Sequence, residues 1–591
     1  MPRESRLRWR ALLPDRWSWL QLIASPSTYL LALSLVLTMA AKLPVIRGYE
    51  EIDFWPSRWL VACSRDVLFF FGLGTILAYG ESVRRWVLAL TVPIALFVAS
   101  VAVINVGYMS ISGEQLSWQV LTLGFDRFGD VSTIANATLL AHPFRFVLVL
   151  LLVVALPIGA GWLLRRKHAV PAREASLSRA RATGSVALFA LLVVLVVPKP
   201  QQYALARMYE NAVVRTYWGL VTGSGNWNNA TGGFFAGYEP HDLVDAPSID
   251  SLRSSARPNV IVVVLESVRR DETSLPGGKG LASTPNIAAI AAAGTDFVHA
   301  RSVIPQTTKS VWSMMCGRIP LLQTKVYETS STVDVQCIPD ILAAAGYRTG
   351  FFQSAIGHFE DRPRLVNAMG FASYTSLEDI TKEITGYLSS DDEQLLHPLT
   401  TWIDADPRAP FMAMVLTSST HHPYELSIDR AEKVRQSGRP AETDRDRYDR
   451  ELEAEDALIG GIVSGLRDRG LLDRTIIVVV GDHGEGFGEK GTRQHGSNFY
   501  EEGLRVPWVM MGPGIPQRSI TQNVALFDLT ATLLKLLGIE PSAAARAAIP
   551  SRNVLADVPE RALPFSCYYD NACRGFVLGT TKVVMVPETG Q

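Results

Sequence analysis

The chemistry of this chain is concentrated in VVVGDHGEGFGE, Val478 to Glu489, at the step Asp482–His483. A carboxylate beside an imidazole, just past the end of an apolar run, is a donor pair suited to a divalent cation. NVIVVVLES (259–267) closes in the same manner on Glu266, a third donor of that kind. IPQTTKSVWSMMCG (304–317) places two hydroxyls, Thr307 and Thr308, ahead of a stretch that reads as loop then helix. A hydroxyl at a helix N-terminus lies in positive potential, which favours its alkoxide and any phosphoryl oxygens bound there. A cation on the same oxygen would lower its pKa further and make it a nucleophile. Lys309 and Ser310 follow directly as candidate substrate contacts, Lys309 either neutralising phosphoryl charge or simply solvated. His421 in TSSTHHPY and His495 in RQHGSNFYEEGLRVP are two candidates for binding those oxygens or protonating a leaving group. His422 reads as a surface turn residue. Each piece has a commonplace reading alone: an Asp-His-Gly step, a capping Glu or Thr, a solvated loop His. Their combination points to metal-assisted chemistry.

These residues need elements to bring them together. Thr475–Val480 is a β-branched run of buried-strand type ending at Gly481. TPNIAAIAAAG (284–294) reads as a helix stopped by Gly294, Ile341–Ala345 as another, and Arg348–Gln353 as a strand. PFMAMVLTSSTHHPY (410–424) is a strand entering a polar turn, and Asp444–Arg469 a long amphipathic helix. VPWVMMGPG is a further strand, Phe527–Leu537 a helix, and Val577–Val586 a hairpin-like end. Such alternation implies an α/β domain with a mainly parallel sheet, whose sites gather at the carboxyl ends of the strands. Glu266, His421 and Asp482 all fall at or just past such ends.

At 591 residues and a net charge of −1, the chain exceeds one domain and carries no basic field for nucleic acid. Its apolar runs crowd into the first 200 residues. Five are long enough to span a bilayer: Pro26–Ile46, Trp59–Gly80, Trp86–Tyr108, Phe146–Leu164 and Ala182–Pro198. The first is too long for a cleaved signal peptide and lacks a small-residue cleavage site. Basic residues mark one side: Arg3, Arg6, Arg8, Arg10 and Arg16 in the tail, Arg84 and Arg85, then Arg165, Arg166 and Lys167. The opposite connections are poorer in them, so the N-terminus is expected in the cytoplasm and everything after about residue 200 outside. Arg65 and Asp66, near the outer end of the second span, read as a pair snorkelling to the interface. The segment 109–142 is expected on the membrane surface. The organisation expected is therefore 1–200 membrane domain, 201–257 linker or interfacial region, and 258–591 catalytic domain. Cys316, Cys337, Cys567 and Cys573 fall in the exported part, where pairing 316 with 337 and 567 with 573 is the simplest connectivity.

The ordered set NVIVVVLES, TPNIAAIAAAG, Thr-Thr-Lys-Ser, STHHPY, GDHGEGFGE and HGSNFYEEGLRVP, over about 258–585, resembles the sulfatase-type branch of the alkaline phosphatase superfamily. With the apolar N-terminus, the resemblance is to its membrane-bound members: lipoteichoic acid synthases, phosphoglycerol transferases and phosphoethanolamine transferases of bacterial envelopes. It implies a five-span helical membrane domain carrying an extracytoplasmic α/β sulfatase-like (alkaline phosphatase-type) domain on the bacterial cytoplasmic membrane. It implies one divalent metal, Zn²⁺ or Mn²⁺ with Mg²⁺ also compatible, held by Glu266, Thr307, Asp482 and His483. Ser310 and Gly317, three and ten residues further on, match the spacing of the sulfatase motif and point to Thr307 as nucleophile, with Thr308 second. His421 and His495 match substrate-side histidines. The partners implied are a membrane phospholipid donor and an envelope glycan or lipid acceptor, with phosphoglycerol or phosphoethanolamine carried; a membrane-anchored hydrolase is the alternative. The departures are specific. Sulfatases form formylglycine from Cys or Ser in a Cys/Ser-x-Pro-x-Arg loop. A threonine cannot give that aldehyde, and Lys309 and Val311 stand where Pro and Arg would. The Cys-rich pattern around the nucleophile of lipid A phosphoethanolamine transferases is reduced to Cys316. The chain ends at VVMVPETGQ, where relatives continue past the final hairpin.

Overall fold

The computed structural model describes residues 26–47, 55–83, 88–126, 208–222, 243–245 and 249–250, then most of 257–585 except 280–281, 322–334, 382–383, 386–388, 440 and 569–572. Two compact units are distinguished: Met1–Ser224 with Gly488–Gly491, and Gly225–Phe487 with Thr492–Gln591.

Among its described residues the first unit has three helices long and apolar enough to cross a membrane: α1 Pro26–Arg47, α2 Trp55–Val83 and α3 Leu88–Ser112. Their 22, 29 and 25 residues exceed the roughly 20 that a bilayer core requires. The expected spans at Phe146–Leu164 and Ala182–Pro198 lie outside the described residues, as does most of the 201–257 linker. Three of the five expected spans therefore have a matching helix among the described residues.

The charges in α2 are arranged differently from the snorkelling pair expected. Asp66 is fully buried and bonds not to Arg65 but to Lys42 of α1, Nζ to Oδ2 at 2.5 Å. Its other oxygen accepts from Asn211 Nδ2 at 2.9 Å. The Lys42 ammonium also donates to the carbonyls of Ala62 (3.0 Å) and Met208 (2.5 Å). Arg65 lies 4.6 Å over the Tyr209 ring. The correction has a simple cause: sequence places neighbours along one helix, whereas burial demands a partner from another. Because both charges are shut off from solvent, removing one leaves the other uncompensated. Lys42→Met is expected to destabilise this unit by about 3–5 kcal/mol, read as earlier thermal unfolding of the detergent-solubilised chain.

The second unit is built on an eight-stranded sheet. Its strands are β1 Asn259–Leu265, β2 Thr295–Arg301, β3 Arg348–Gln353, β4 Ser373–Thr375, β5 Phe411–Leu416, β6 Thr475–Gly481, β7 Trp508–Met511 and β8 Arg518–Ala525, in the order β4-β3-β5-β1-β6-β7-β2-β8. β7 runs antiparallel to both its neighbours, β6 and β2. The other pairs are parallel. The central strands are wholly buried, as their unbroken Val/Ile/Met runs require of strands covered on both faces.

Alternate residues serve the two faces. Val260, Val262 and Val264 share a core with Val311, Trp312 and Met315 of α5 (Thr307–Cys316), Ile341 of α6 (Ile338–Ala344) and Leu533 of α8 (Asp528–Leu536). Ile261, Val263 and Leu265 pack with Ile287 of α4 (Pro285–Ala293) and Leu452, Ile459 and Ile462 of α7 (Asp444–Asp468). The result is a helix–sheet–helix sandwich. A separate sheet, β9 Leu563–Ser566, β10 Arg574–Leu578 and β11 Thr581–Met585, forms the C-terminal hairpin and its neighbour.

Both expected disulfides are present, Cys316–Cys337 and Cys567–Cys573. The first joins the end of α5 to the cap of α6 across a separation of 21 residues, a loop closure worth about 3 kcal/mol in the chain-entropy treatment. Replacing both Cys316 and Cys337 by Ser is expected to lower the stability of this unit by that amount, measured by denaturant unfolding of the full chain.

Candidate active site

Register decides which side chains meet. β1 lies between β5 and β6, with Val264 opposite Leu416 and Leu265 opposite Gly481. The residues just beyond those pairs, Glu266, Thr417 and Asp482, therefore leave the sheet side by side, at strand spacings of about 5 Å. Ser267 then adopts a left-handed conformation, φ 58°, costly for a non-glycine residue and characteristic of functional turns. Its N–H donates to Asp482 Oδ1 at 2.9 Å, and its hydroxyl to Glu266 Oε1 at 3.0 Å. Glu266 is fastened at its backbone too: its N–H donates to Thr417 Oγ1 at 3.1 Å, and the Thr420 hydroxyl donates to its carbonyl.

Glu266, Asp482 and His483 form a buried group whose donor atoms all lie within 4.8 Å of one another. His483 Nε2 is 3.2 Å from Asp482 Oδ2 and 3.5 Å from Glu266 Oε1. Its Nδ1 faces the Gly484 carbonyl at 3.1 Å; donation there fixes the tautomer and leaves the Nε2 lone pair turned to the carboxylates. Gly484 itself passes so close to the Glu502 carbonyl that a Cβ would lie 2.0 Å from it, so no side chain fits beside the imidazole.

Two observations bear on a cation. Asp482 Oδ2 and His483 Nε2 are buried and have no hydrogen-bond partner among the described residues, although buried polar atoms are ordinarily satisfied. The electrostatics agree. Burial opposes charge on Glu266, but His483, His421, His495 and the Thr307 hydroxyl outweigh it and hold its carboxyl below the ordinary value. Burial and the Glu266 charge push the Asp482 carboxyl well up. Burial also lowers His483, a shift toward the neutral ring that a ligand needs. Two carboxylates, one neutral imidazole and a hydroxyl fit a divalent cation of borderline-to-hard type.

The hydroxyl is that of Thr307. It opens α5, is partly exposed, and donates to Glu266 Oε2 at 2.7 Å. Thr308 is fully buried and turns away, donating to Glu360 Oε2 at 2.6 Å. Ser310 bonds to the Ile304 carbonyl at 3.1 Å and lies 3.2 Å from the Ser302 hydroxyl. That contact braces the loop in place of the substrate contact expected of Ser310. Lys309 is buried too, with Nζ on the Leu321 carbonyl at 2.8 Å. His495 stacks on His483 with ring centroids 4.2 Å apart, and His421 meets His495 edge-on at 5.7 Å. His421 Nδ1 is 2.7 Å from the His422 carbonyl, while His495 Nδ1 faces Glu485 Oε2 at 3.5 Å. His422, read as a surface residue, is only partly exposed, and burial lowers it to about 4.

Some residues of this site escaped the sequence reading. Glu360 accepts from both Thr308 and Gln306. Arg362 is 3% exposed, has Nη2 3.6 Å from Glu360 Oε2, and keeps Nε and Nη1 without a hydrogen-bond partner among the described residues. The dense charge of HFEDRPR just past the β3 strand was the available signal.

Residues 258–539 match the Sulfatase family, and the relatives of that region include a lipoteichoic acid synthase and a phosphoglycerol transferase, which supports the expected likeness to a sulfatase-like branch. The chain is 23% identical over 335 residues to an ulvan-active sulfatase of Formosa agariphila, covering 50% of this chain and 64% of that one. It is 23% identical over 246 residues to lipoteichoic acid synthase 2 of Bacillus subtilis (40% and 37% covered). It is 26% identical over 342 residues to phosphoglycerol transferase I of Xanthomonas euvesicatoria (51% and 44% covered). The chain thus spans less than two thirds of the length of each of these relatives.

Proposed function

We propose that this protein is a metal-dependent transferase that moves a phospholipid head group, phosphoglycerol or phosphoethanolamine, onto an envelope glycan or lipid acceptor through a phosphothreonine. The observation that carries the reading is the Thr307 hydroxyl, 2.7 Å from Glu266 at the edge of the Glu266–Asp482–His483 group. A threonine cannot become formylglycine, so sulfate-ester chemistry of the sulfatase kind loses its nucleophile.

Glu266, Asp482, His483 and Thr307 would hold the divalent cation, which supplies Lewis acidity: a lower hydroxyl pKa and compensation of phosphoryl charge. The chain's own residues do the rest. Thr307 Oγ1 forms a bond to phosphorus as the bond to the diacylglycerol oxygen breaks, its proton directed at Glu266 Oε2. His421 or His495 gives a proton to the departing diacylglycerol oxygen. The acceptor hydroxyl, deprotonated by the same histidine, then attacks phosphorus, and Thr307 leaves as the restored alcohol. The positive end of α5, where Thr307 stands, favours negative charge on the phosphoryl oxygens. The apolar helices support a lipid donor, since a membrane mount raises its local concentration. The same reading puts the N-terminus in the cytoplasm and the catalytic domain outside it, in agreement with the two disulfides.

The test uses the full chain in vesicles containing head-group-labelled phosphatidylglycerol or, separately, phosphatidylethanolamine, with extracted envelope glycan as acceptor. Label on the acceptor, from one donor only, is the expected result and names the group. Release of free head group without labelled acceptor would instead make the protein a hydrolase.

A further inference from the structure

Thr307 and Thr308 are adjacent hydroxyls at the start of one helix, and something must decide which of them meets the metal group. The strongest irregularity nearby is in the segment after β3. Glu360 and Asp361 are consecutive non-glycine residues in the left-handed region, φ 53° and 56°. Such a conformation persists only where surrounding contacts over-determine it. The contacts are those of the Glu360 carboxylate. Gln306 Nε2 donates to both its oxygens at 2.8 Å, and Thr308 Oγ1 donates to Oε2 at 2.6 Å. Gln306 in turn caps α5, its Oε1 accepting from the Lys309 N–H at 2.7 Å. One carboxylate therefore holds the residues on both sides of Thr307. Thr307 is left with a single side-chain hydrogen bond among the described residues, to Glu266.

We infer that Glu360 is a positioning residue that assigns the nucleophilic role to Thr307, by engaging the Thr308 hydroxyl and fixing the first turn of α5. The inference rests on Thr307 being the nucleophile. Glu360 touches neither the metal group nor Thr307 Oγ1, so its effect passes through the geometry of its neighbours. With the carboxylate removed, the Thr308 hydroxyl loses its acceptor and the cap loses its anchor. A reacting group displaced by about an ångström loses on the order of 100-fold in rate.

The test compares Glu360→Ala, Glu360→Gln, Thr307→Ala and the double variant Thr307→Ala/Glu360→Ala in the full chain. Turnover, bound metal and the site of the covalent adduct are measured. Glu360→Ala is expected to retain its metal and its KM for donor, to lose roughly 10–100-fold in kcat, and to carry adduct on both Thr307 and Thr308. Glu360→Gln, which still accepts from Thr308 but presents an amide to Gln306, is expected to lose less and keep its adduct on Thr307. The double variant should show adduct on Thr308 where Thr307→Ala alone shows none. Adduct confined to Thr307 in Glu360→Ala with kcat within twofold of the parent, or loss of metal in that variant, overturns the assignment. Should Glu360→Ala fail to fold, Glu360→Gln decides: kcat equal to the parent overturns it. Full turnover by Thr307→Ala would instead remove the underlying reading of the nucleophile, whatever Glu360 does.

Discussion

Thr307→Ala is expected to abolish head-group transfer, lowering kcat by roughly 10⁴-fold or more, with bound metal reduced but folding intact. Thr308→Ala is expected to stay within about tenfold of the parent, the misalignment range for a group that does not react. The asymmetry follows from two distances. Thr307 Oγ1 is 2.7 Å from a carboxylate of the metal group, and Thr308 Oγ1 is 2.6 Å from Glu360 instead. The two side chains differ little in chemistry, so opposite results for them would be a statement about geometry alone. Steady-state transfer by the two variants, at saturating donor, is the measurement. Equal loss in both would mean that the helix start matters and the particular hydroxyl does not.

The second large effect concerns the cation. Chelation of the purified protein is expected to remove turnover completely, and readdition of Mn²⁺, Zn²⁺ or Mg²⁺ to restore it for the native ion. Asp482→Asn should abolish turnover and weaken metal binding while leaving the metal-free fold at least as stable as the parent. The amide oxygen of that variant would still accept from the Ser267 and His483 N–H groups, which lie 2.9 and 2.7 Å from Asp482 Oδ1 in the parent. The substitution would also replace a buried carboxylate, raised by burial and by the Glu266 charge, with a neutral group beside His483 Nε2. Relief of a strained functional site commonly stabilises the fold that carries it. Thermal unfolding separates the two forms: metal at 100 times its Kd should add about 2.7 kcal/mol to the parent and little to the variant. A metal-free Asp482→Asn protein less stable than the metal-free parent would argue that the carboxylate is a structural anion and the site no cation site.

The parts of this molecule legible in the sequence are those set by local pattern. Thr475–Val480 shows itself by a β-branched run and Asp444–Arg469 by helical periodicity; with the expected strand Arg348–Gln353, the structure places elements at Thr475–Gly481, Arg348–Gln353 and Asp444–Asp468. Glu266 and Asp482 were legible because each ends such a run, and parallel pairing carries those ends to one edge. Less legible was whatever depends on partners far along the chain. The reversed direction of β7 follows from the chain returning across the site after His495, which no local pattern encodes. Ser310 is a local exception: it turns back on Ile304 and Ser302, six and eight residues upstream, through a loop conformation that residue types alone do not show. Asp66 was paired with its neighbour Arg65, and Lys42 takes it instead. Glu360 gives no such signal, because its contact with Thr308 depends on a left-handed turn that brings a charged loop against α5.

Transfer as proposed requires Thr307 to form a bond to phosphorus. Mass spectrometry of the protein quenched during turnover, read on the tryptic peptide Ser302–Lys309, tests it most directly. That peptide contains both threonines, and fragmentation distinguishes them. The expected result is the mass of one phosphoryl head group on Thr307, absent after chelation and chased away by acceptor. An unmodified peptide in protein that is transferring label, or a modification on any other residue, would contradict it.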